Sequence, residues 1–392
     1  LADRRGPAEE TSHGNAGVIQ REAVLPYTFP RDVGKIAGYA LNRLPEANLH
    51  WSALPGLAPW LYAHWRQSQP DNVVRTARGA RPLVERCIEE HRSLMMAAGS
   101  RVVVRETGYL KVYRTPARLD AEITAGEAAQ RTWGIEQSVH TAGQLRDLEP
   151  ALMGPLAGGI LKTQPVSVDD PGALGKSYAD LFTARGGRLL TADARTLAAD
   201  PGGWRIATVE GPIVAREVVV ALGPWAREVL DPLGVRVPLI AKRGYHMHYG
   251  TVGNAGLTRP VLDAEVGYVL APMARGVRLT TGAEFALADA PPTPVQLDRV
   301  EPLAREILPL GSRLDPAPWL GGRPCLPDML PMIGAAPGHN GLWLDIGHHH
   351  LGFTLGPVSG RLLAEMMTGQ APFTDPAPYR VDRFAVGAQE AF

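Results

Sequence analysis

Apolar residues along this chain recur with two different spacings, and each spacing predicts a different element. Between Ala77 and Ala98 they return every three or four positions among charged residues, which indicates an amphipathic helix. Two more helices are predicted at Pro116–Trp133 and Asp170–Ala184, the latter with a proline in its first turn, where the missing N–H is not needed. The apolar run after Glu217, which ends at Leu222, is rich in β-branched residues and predicts a parallel strand buried on both faces.

Other apolar segments follow one another with only turns between them. Arg101–Arg105 and Tyr109–Tyr113 predict two strands joined by a hairpin-like turn at Thr107-Gly108. Further strands without intervening helices favour an antiparallel sheet, at Pro238–Tyr249, Gly267–Ala271 and Val277–Gly282. The C-terminal part then predicts a helix, a strand, a glycine-spaced loop and a helix, at Thr293–Ile307, Leu342–Ile346, Gly347–Gly356 and Pro357–Thr368.

Segments that alternate helix and parallel strand therefore flank segments of antiparallel strands. With 392 residues, the chain is also longer than a single hydrophobic core usually supports. We expect an α/β (α+β) fold with two domains interleaved along the sequence.

Charge and cysteine content narrow the possible partners. Lys and Arg together number 40, as do Asp and Glu, so no overall field attracts nucleic acid. The two cysteines lie far apart in sequence, which indicates a reducing, cytoplasmic compartment rather than a disulfide framework. No run approaches the roughly 18 apolar residues of a transmembrane helix. Peripheral contact with the inner face of a membrane is left open.

The strongest candidate for substrate binding is Arg323 in the segment Gly321–Pro324. A proline on one side and glycines on the other would hold the guanidinium in place for bidentate binding of a carboxylate. An ion pair between strands or on the surface is the alternative interpretation. Tyr245 lies on a predicted strand where it shares one face with Met247 and Tyr249, an arrangement that is also typical of a core.

The loop from Gly347 to Gly356 exposes backbone N–H groups just before a helix, whose N-terminus carries a partial positive charge. Such an end favours negative charge on a bound ring system. The triplet His348-His349-His350 does not predict a metal site, because consecutive side chains in an extended loop point in different directions and further ligands at suitable spacing are not evident.

Three further segments have a functional and an ordinary interpretation. The small residues of Thr11–Gly17 would let backbone approach a ligand closely, or form a plain loop. Gly223-Pro224-Trp225 breaks the apolar strand where a cofactor could bind, or is a simple turn into a helix. Asp3 could bind ribose hydroxyls at the end of a strand, or be a solvated charge.

Six segments in this order resemble the FAD-dependent D-amino-acid oxidase and dehydrogenase superfamily, which includes glycine oxidase and sarcosine oxidase. They are LADRRGPAEETSHGNAG, VSVDDPGAL, VVVALGPWA, KRGYH, GGRPCLPDMLPMIG and GHHHLGFTLGPVSGRLLAEMMTG, and they extend over nearly the whole chain. The RGYH and RPxxPDxLPxIG forms are most similar to bacterial D-amino-acid dehydrogenases, including those that act on D-proline or hydroxy-D-proline.

The resemblance implies a Rossmann-type FAD-binding domain at residues 1–35, 146–232 and 324–392. It also implies a substrate-binding domain with a mainly antiparallel sheet at residues 36–145 and 233–323. Arg323 would bind the substrate carboxylate, supported by Tyr245. The residues implied in FAD binding are Asp3, Arg4, Thr11, Ser12, His13, Gly14, Asn15, Ala16, Gly17, Ala221, Leu222, Gly223, Gly347, His348, Leu351, Gly352, Phe353 and Thr354.

The superfamily's glycine turn, GxGxxG, does not occur in this sequence, which starts at what resembles the end of the second strand. We expect either a fragment whose glycine turn lies upstream or a protein that binds FAD weakly. Cys325 stands too close to Pro327-Asp328 to match the cysteine that attaches flavin in sarcosine oxidases, so the FAD is expected to be non-covalent.

The expected reaction is oxidation of the Cα–N bond of a small D-amino or cyclic imino acid, by hydride transfer to flavin N5. A glycine- or sarcosine-type oxidase is the alternative enzyme. A truncated, non-catalytic remnant or an assembly subunit is the alternative of another class. The electron acceptor, whether oxygen, a quinone or a partner protein, is left open.

Overall fold

The computed structural model describes residues 1–253, 255–287 and 289–384. Its α-helices are α1 (Val33–Ala40), α2 (Leu54–Gln67), α3 (Pro70–Ala98), α4 (Pro116–Trp133), α5 (Ala142–Leu148), α6 (Pro171–Ala184), α7 (Ala226–Leu230), α8 (Val295–Ile307) and α9 (Gly352–Met367). Its strands are β1 (Ala2–Asp3), β2 (Val18–Ile19), β3 (Ala47–Leu49), β4 (Val104–Arg105), β5 (Tyr109–Tyr113), β6 (Gln137–Thr141), β7 (Gly158–Lys162), β8 (Val166–Val168), β9 (Leu190–Thr191), β10 (Ala198–Asp200), β11 (Gly203–Thr208), β12 (Gly211–Ala215), β13 (Val218–Val220), β14 (Ile240–Thr251), β15 (Val261–Asp263), β16 (Tyr268–Met273), β17 (Gly276–Thr280), β18 (Ala283–Phe285), β19 (Leu310–Arg313), β20 (Trp319–Cys325), β21 (Met332–Ala335) and β22 (Leu342–Ile346).

A large, mainly antiparallel sheet is built around β14. Its path runs β3-β18-β14-β17-β16-β15-β5-β7-β6, and β19 and β20 also pair with β14. Successive side chains of β14 point to opposite faces. One face buries Met247 and Tyr249 in a core that includes Leu297 and Val300 of α8. On the other face, Lys242 and Gly244 border a large cavity.

Helices and short parallel strands form the second part of the fold. β1 pairs in parallel with β9, and β13 pairs in parallel with β22. Helices α3, α6 and α9 share one core, to which they contribute Leu83, Leu174 and Val358, all with 0% of their surface exposed. The combination of parallel strands, helices and a separate antiparallel sheet is the mixed class that the sequence predicts.

Several predicted elements have the expected bounds. α4 and β22 begin and end at the predicted residues, and α6 begins at Pro171 with Asp170 as its N-cap. Residues 240–251, 268–273 and 276–280 form the predicted antiparallel strands. Helix α3 begins at Pro70, seven positions before the predicted start, with the proline in its first turn and Asp71 near its N-terminus, where a negative charge is favourable.

Three expectations are wrong. β4 pairs with β8 rather than with β5, which lies between β7 and β15 in the large sheet, so the predicted hairpin does not form. Val219 in β13 is 38% exposed, so that strand is not buried on both faces. Helix α9 begins at Gly352 rather than at Pro357, and the glycine loop is correspondingly shorter.

The division into two interleaved domains stays a prediction. α3, which falls in the predicted substrate-binding range 36–145, packs on α6 and α9, whereas β7, in the range 146–232, belongs to the large sheet. Residues 385–392 of the predicted range 324–392 lie outside the described residues.

Candidate functional site

A cavity of about 1910 Å³ lies between the large sheet and the segments that follow the parallel strands. This volume exceeds the range of about 300–1,000 Å³ that is usual for small-ligand pockets. The predicted site residues that line the cavity are Asp3, Arg4, Thr11, Ser12, Gly14, Asn15, Ala16, Ala221, Leu222, Gly223, Tyr245, Arg323, His348, Gly352 and Phe353. The structure thus brings residues from distant parts of the sequence together around one cavity.

The other predicted residues, His13, Gly17, Gly347, Leu351 and Thr354, are not among those lining the cavity. Gly17 has φ +72°, and a Cβ there would lie 2.2 Å from the carbonyl oxygen of Val168. The Thr354 hydroxyl donates to the carbonyl of Val18 at 3.2 Å. Gly17 and Thr354 therefore fix the backbone conformation of the Thr11–Gly17 loop and of strand β2, next to the residues that line the cavity.

The loop Thr11–Gly17 is held from two sides. The Thr11 hydroxyl donates to the carbonyl of Gly322 at 3.2 Å, next to Arg323. From behind, the guanidinium of Arg278 on β17 donates to the carbonyls of His13 and Asn15, at 2.8 and 2.5 Å. The sequence does not predict the role of Arg278, because only the packing of β17 against the loop brings Arg278 close to His13 and Asn15.

Asp3 and Arg4 border the cavity but already have protein partners. An Asp3 carboxylate oxygen accepts the backbone N–H of Arg5 at 2.8 Å, which closes a turn directly after β1. The Arg4 guanidinium lies 4.3 Å from the centre of the Trp225 ring and forms a 2.8 Å ion pair with Glu10. Arg4 therefore joins the N-terminal turn to the segment after β13.

At the opposite end of the site, α9 presents its N-terminus to the cavity through Gly352 and Phe353. None of the described side chains caps this end, so its first N–H groups are available to a ligand. Pro357 lies inside the helix and has no N–H to give to the carbonyl of Phe353, four residues earlier. Nε2 of His91, on α3, supplies that hydrogen bond at 2.9 Å.

His91 plays this role as a neutral ring. Burial lowers its pKa to about 4. With Nε2 protonated as the donor, Nδ1 is left as an acceptor for the hydroxyl of Tyr178, at 2.9 Å. The sequence pattern predicts neither the contact with Phe353 nor the contact with Tyr178, because it identifies His91 only as one position of an amphipathic helix.

Arg323 is partly exposed, borders the cavity, and is held by main-chain oxygens. Its guanidinium donates to the carbonyls of Gly282 and Thr281 at 2.8 and 3.0 Å and lies against Gly244 of β14. In the described part of the chain it forms no ion pair with Asp or Glu, so the alternative of a structural ion pair gains no support. A guanidinium has five N–H donors, and those not used on the carbonyls stay free for a ligand.

Tyr245 has a different environment from the one expected. The alternation of β14 places its side chain on the opposite face from Gly244 and Arg323. Its hydroxyl donates to Glu284 at 3.0 Å and accepts from the backbone N–H of Thr293 at 2.7 Å, while Arg243 pairs with Glu284 at 2.7 Å. The structure thus ties the Tyr245 hydroxyl into a buried network, and its support of a substrate remains a prediction.

The three consecutive histidines point to different partners. Nε2 of His348 lies 3.1 Å from the carboxylate of Asp345, whereas the Nδ1 atoms of His349 and His350 are 3.0 Å apart. Burial lowers the pKa of His349 to about 3 and holds the pKa of His350 well below its ordinary value, so both line the cavity as neutral rings.

His246, His248 and Asp315 form a separate cluster whose potential ligand atoms lie within 4.8 Å of one another. Nδ1 of His248 bonds to Asp315 at 2.7 Å, and its Nε2 accepts from Arg278 at 3.1 Å. Both nitrogens of His248 are therefore occupied, one by Asp315 and the other by the Arg278 guanidinium, and neither is available to a metal ion. The cluster serves to orient Arg278.

A cavity of this size between parallel-strand segments and an antiparallel sheet, with an arginine held toward it, fits a flavin-dependent oxidoreductase. Residues 1–366 match the sequence model of the family described as FAD dependent oxidoreductase, and the chain belongs to that family. FAD is therefore its cofactor.

Curated relatives carry related names. The chain is 32% identical to a D-amino acid dehydrogenase of Paramagnetospirillum magneticum, over 98% of this chain and 92% of the relative. It is 27% identical to a D-amino-acid oxidase of Bradyrhizobium diazoefficiens, over 97% and 91%. It is 37% identical to a glycine oxidase of Pseudomonas aeruginosa, over 44% and 48%.

The same fold occurs in a solved glycine oxidase from Geobacillus kaustophilus. The TM-score is 0.72 at 20% identity, over 97% of this chain and 91% of that chain. The predicted mixed fold class and the resemblance to this superfamily are confirmed. Within the described ranges, no helix has both the length and the apolar character needed to cross a membrane.

Proposed function

We propose that this enzyme oxidises the Cα–N bond of a small D-amino acid or cyclic imino acid to an imine, with Arg323 binding the substrate carboxylate. The observation that carries the proposal is Arg323 itself. Its guanidinium borders the cavity, is oriented by two main-chain carbonyls, and has N–H donors to spare. A full-length relative with 32% identity is named a D-amino acid dehydrogenase, which supports the same substrate class.

The residues present fit FAD at this cavity. Its volume leaves room for a dinucleotide beside a small substrate, and the uncapped N-terminus of α9 offers N–H donors to a carbonyl or an anionic oxygen of the cofactor. Asp3, Arg4 and the loop Thr11–Gly17 would hold the remainder. When bound, FAD accepts the hydride from the substrate Cα.

The positive charge of Arg323 affects the protonation of the substrate amine. Arg323 borders the cavity, and positive charge nearby disfavours an ammonium group on the substrate. The amine is therefore held neutral, with its lone pair available as the Cα–N bond is oxidised. His349 and His350 stay neutral and add no positive charge of their own. No general base of the protein is needed in this scheme.

A glycine- or N-methylglycine-oxidising enzyme is the second candidate. It is favoured by the 37% identity to a glycine oxidase, although that match extends over only 44% of this chain. Arg323 would bind the carboxylate of an achiral amino acid equally well, so stereochemistry distinguishes the two.

We test both by mixing the purified protein anaerobically with D-alanine, D-proline, their L-isomers, glycine and N-methylglycine. Bleaching of the flavin absorbance by D-isomers only is expected, and preferential bleaching by glycine or N-methylglycine would favour the second candidate. Protein without a flavin spectrum, or with a flavin that no amino acid reduces, would contradict both and favour a non-catalytic remnant.

The same preparation addresses the acceptor and the attachment of the flavin. Admission of oxygen after reduction distinguishes an oxidase from a dehydrogenase. In an oxidase, oxygen reoxidises the reduced flavin at once, whereas in a dehydrogenase the flavin stays reduced until a quinone or a protein acceptor is added. We expect acid precipitation to release yellow FAD, as non-covalent binding requires. Cys87 and Cys325 are both free and buried, consistent with a cytoplasmic enzyme.

A further inference from the structure

A second cation stands beside Arg323 in the cavity. Lys242 on β14 is the direct cross-strand partner of Arg323 on β20, so the two side chains leave the sheet on the same face. Both are partly exposed, and both border the cavity. The nitrogen of Lys242 lies 4.6 Å from the ring centre of Trp60 and 5.4 Å from that of Phe285.

Neither cation is neutralised by the protein. Among residues 1–253, 255–287 and 289–384, no Asp or Glu forms an ion pair with Lys242 or Arg323. Burial lowers the pKa of both groups, and the nearby charge of Arg323 lowers the pKa of Lys242 further. Two adjacent, partly desolvated cations are unfavourable unless a ligand brings negative charge.

The aromatic rings hold the Lys242 ammonium without using its donors. A cation over a ring face is attracted by the ring quadrupole, whereas its N–H groups stay free for hydrogen bonds. Lys242 is therefore positioned as a donor, like Arg323. A substrate with one carboxylate would compensate only one of the two charges.

We propose that the preferred substrate carries a second carboxylate and that Lys242 binds it, so that the site selects acidic amino acids of the aspartate and glutamate type. Arg323 then binds the α-carboxylate, and the Lys242 ammonium, which lies over the rings of Trp60 and Phe285, binds the side-chain carboxylate. This inference rests on the proposed function, because it assigns the side-chain subsite of the same reaction.

Amide analogues of the same shape provide the test. Steady-state rates are measured for D-glutamate against D-glutamine and for D-aspartate against D-asparagine. We expect kcat/KM to favour each acid by about 10- to 100-fold, as for a hydrogen bond between charged groups. Lys242→Met should abolish this preference by lowering the rates for the acids towards those for the amides, and Lys242→Arg should restore part of it.

A matched control is Lys35→Met. Lys35 also borders the cavity but is solvent-exposed, with its nitrogen 5.7 Å from the ring centre of Tyr39. Its removal should leave the acid-to-amide ratio unchanged. Binding without turnover gives a second readout: glutarate should raise the thermal unfolding temperature more than butyrate in the wild type, and equally in Lys242→Met.

Equal rates for acids and amides in the wild type would overturn the inference while leaving the proposed function intact. A uniform loss across all substrates in Lys242→Met would also overturn it, since Lys242 would then act on the cofactor rather than on the side chain. If no amino acid of any class reduces the flavin, the proposed function fails and this inference fails with it.

Discussion

The position of Arg323 depends on the absence of a side chain at Gly244. A Cβ at Gly244 would lie 2.7–2.9 Å from the guanidinium atoms, which the carbonyls of Thr281 and Gly282 hold on the far side. An alanine at this position must therefore move the guanidinium. The observed position of the Arg323 guanidinium therefore requires glycine here for close packing rather than for backbone freedom.

Gly244→Ala should raise KM for the amino acid by about tenfold, the cost of one misplaced charged hydrogen bond, with little change in the flavin spectrum. The measurement is steady-state kinetics beside an absorbance spectrum. Gly250→Ala on the same strand is the matched control, since its Cβ would meet only ordinary contacts at 3.9 Å. Equal KM values in the two variants would contradict this account of Arg323.

At the scale of elements, the first turn of α9 is completed by a residue of α3. Pro357 leaves the carbonyl of Phe353 without its helical donor, and His91 replaces that donor. The end of the helix that borders the cavity is thus held in place by a helix remote in sequence.

His91→Phe should lower the free energy of unfolding by about 1–3 kcal/mol, because a buried carbonyl loses its hydrogen bond. Urea denaturation measures the change, and a weaker affinity for FAD should accompany it. His91→Gln keeps a donor and should lose less. A His91→Phe variant as stable as the wild type would show that Phe353 finds another donor.

The order of elements was largely predictable, whereas their pairing was not. α4 and β22 follow from periodicity within a few residues of sequence, and both match the structure. β4 pairs with β8, which lies more than sixty residues further along the chain, and no local sequence pattern predicts that pairing. The predicted start of α9 is wrong for a similar reason. A proline and two glycines predict a loop, and only the hydrogen bond from His91 of α3 to the carbonyl of Phe353 explains how the helix can include them.

At the scale of the whole molecule, four histidines in different parts of the fold are buried in the neutral state. Burial lowers the pKa of His64 and His91 to about 4, of His349 to about 3 and of His246 to about 2. The unfolded chain protonates these groups near pH 6.5, so below that value it binds more protons than the folded protein. Stability is therefore complete above about pH 6.5 and falls as the pH is lowered.

We expect the free energy of unfolding to fall by up to about 1.4 kcal/mol per buried histidine for each pH unit below about 6.5. Urea unfolding at pH 7.5, 6.5 and 5.5 measures this slope. His64→Gln should reduce the slope by one proton, since burial is the main cause of the lowered pKa of His64. A stability that stays constant from pH 7.5 to 5.5 would contradict the neutral state of these rings.

The sequence by itself determined the class of this protein. Periodicity predicted most elements, and the order of six segments indicated an FAD-dependent amino-acid oxidoreductase, including an arginine for the carboxylate. These features are local, or depend on order along the chain. Only the tertiary structure placed Lys242 beside Arg323, Arg278 beneath the loop at His13 and Asn15, and the Tyr245 hydroxyl in the network with Glu284. Strand register and packing decide such neighbours, and both depend on contacts between residues far apart in the sequence.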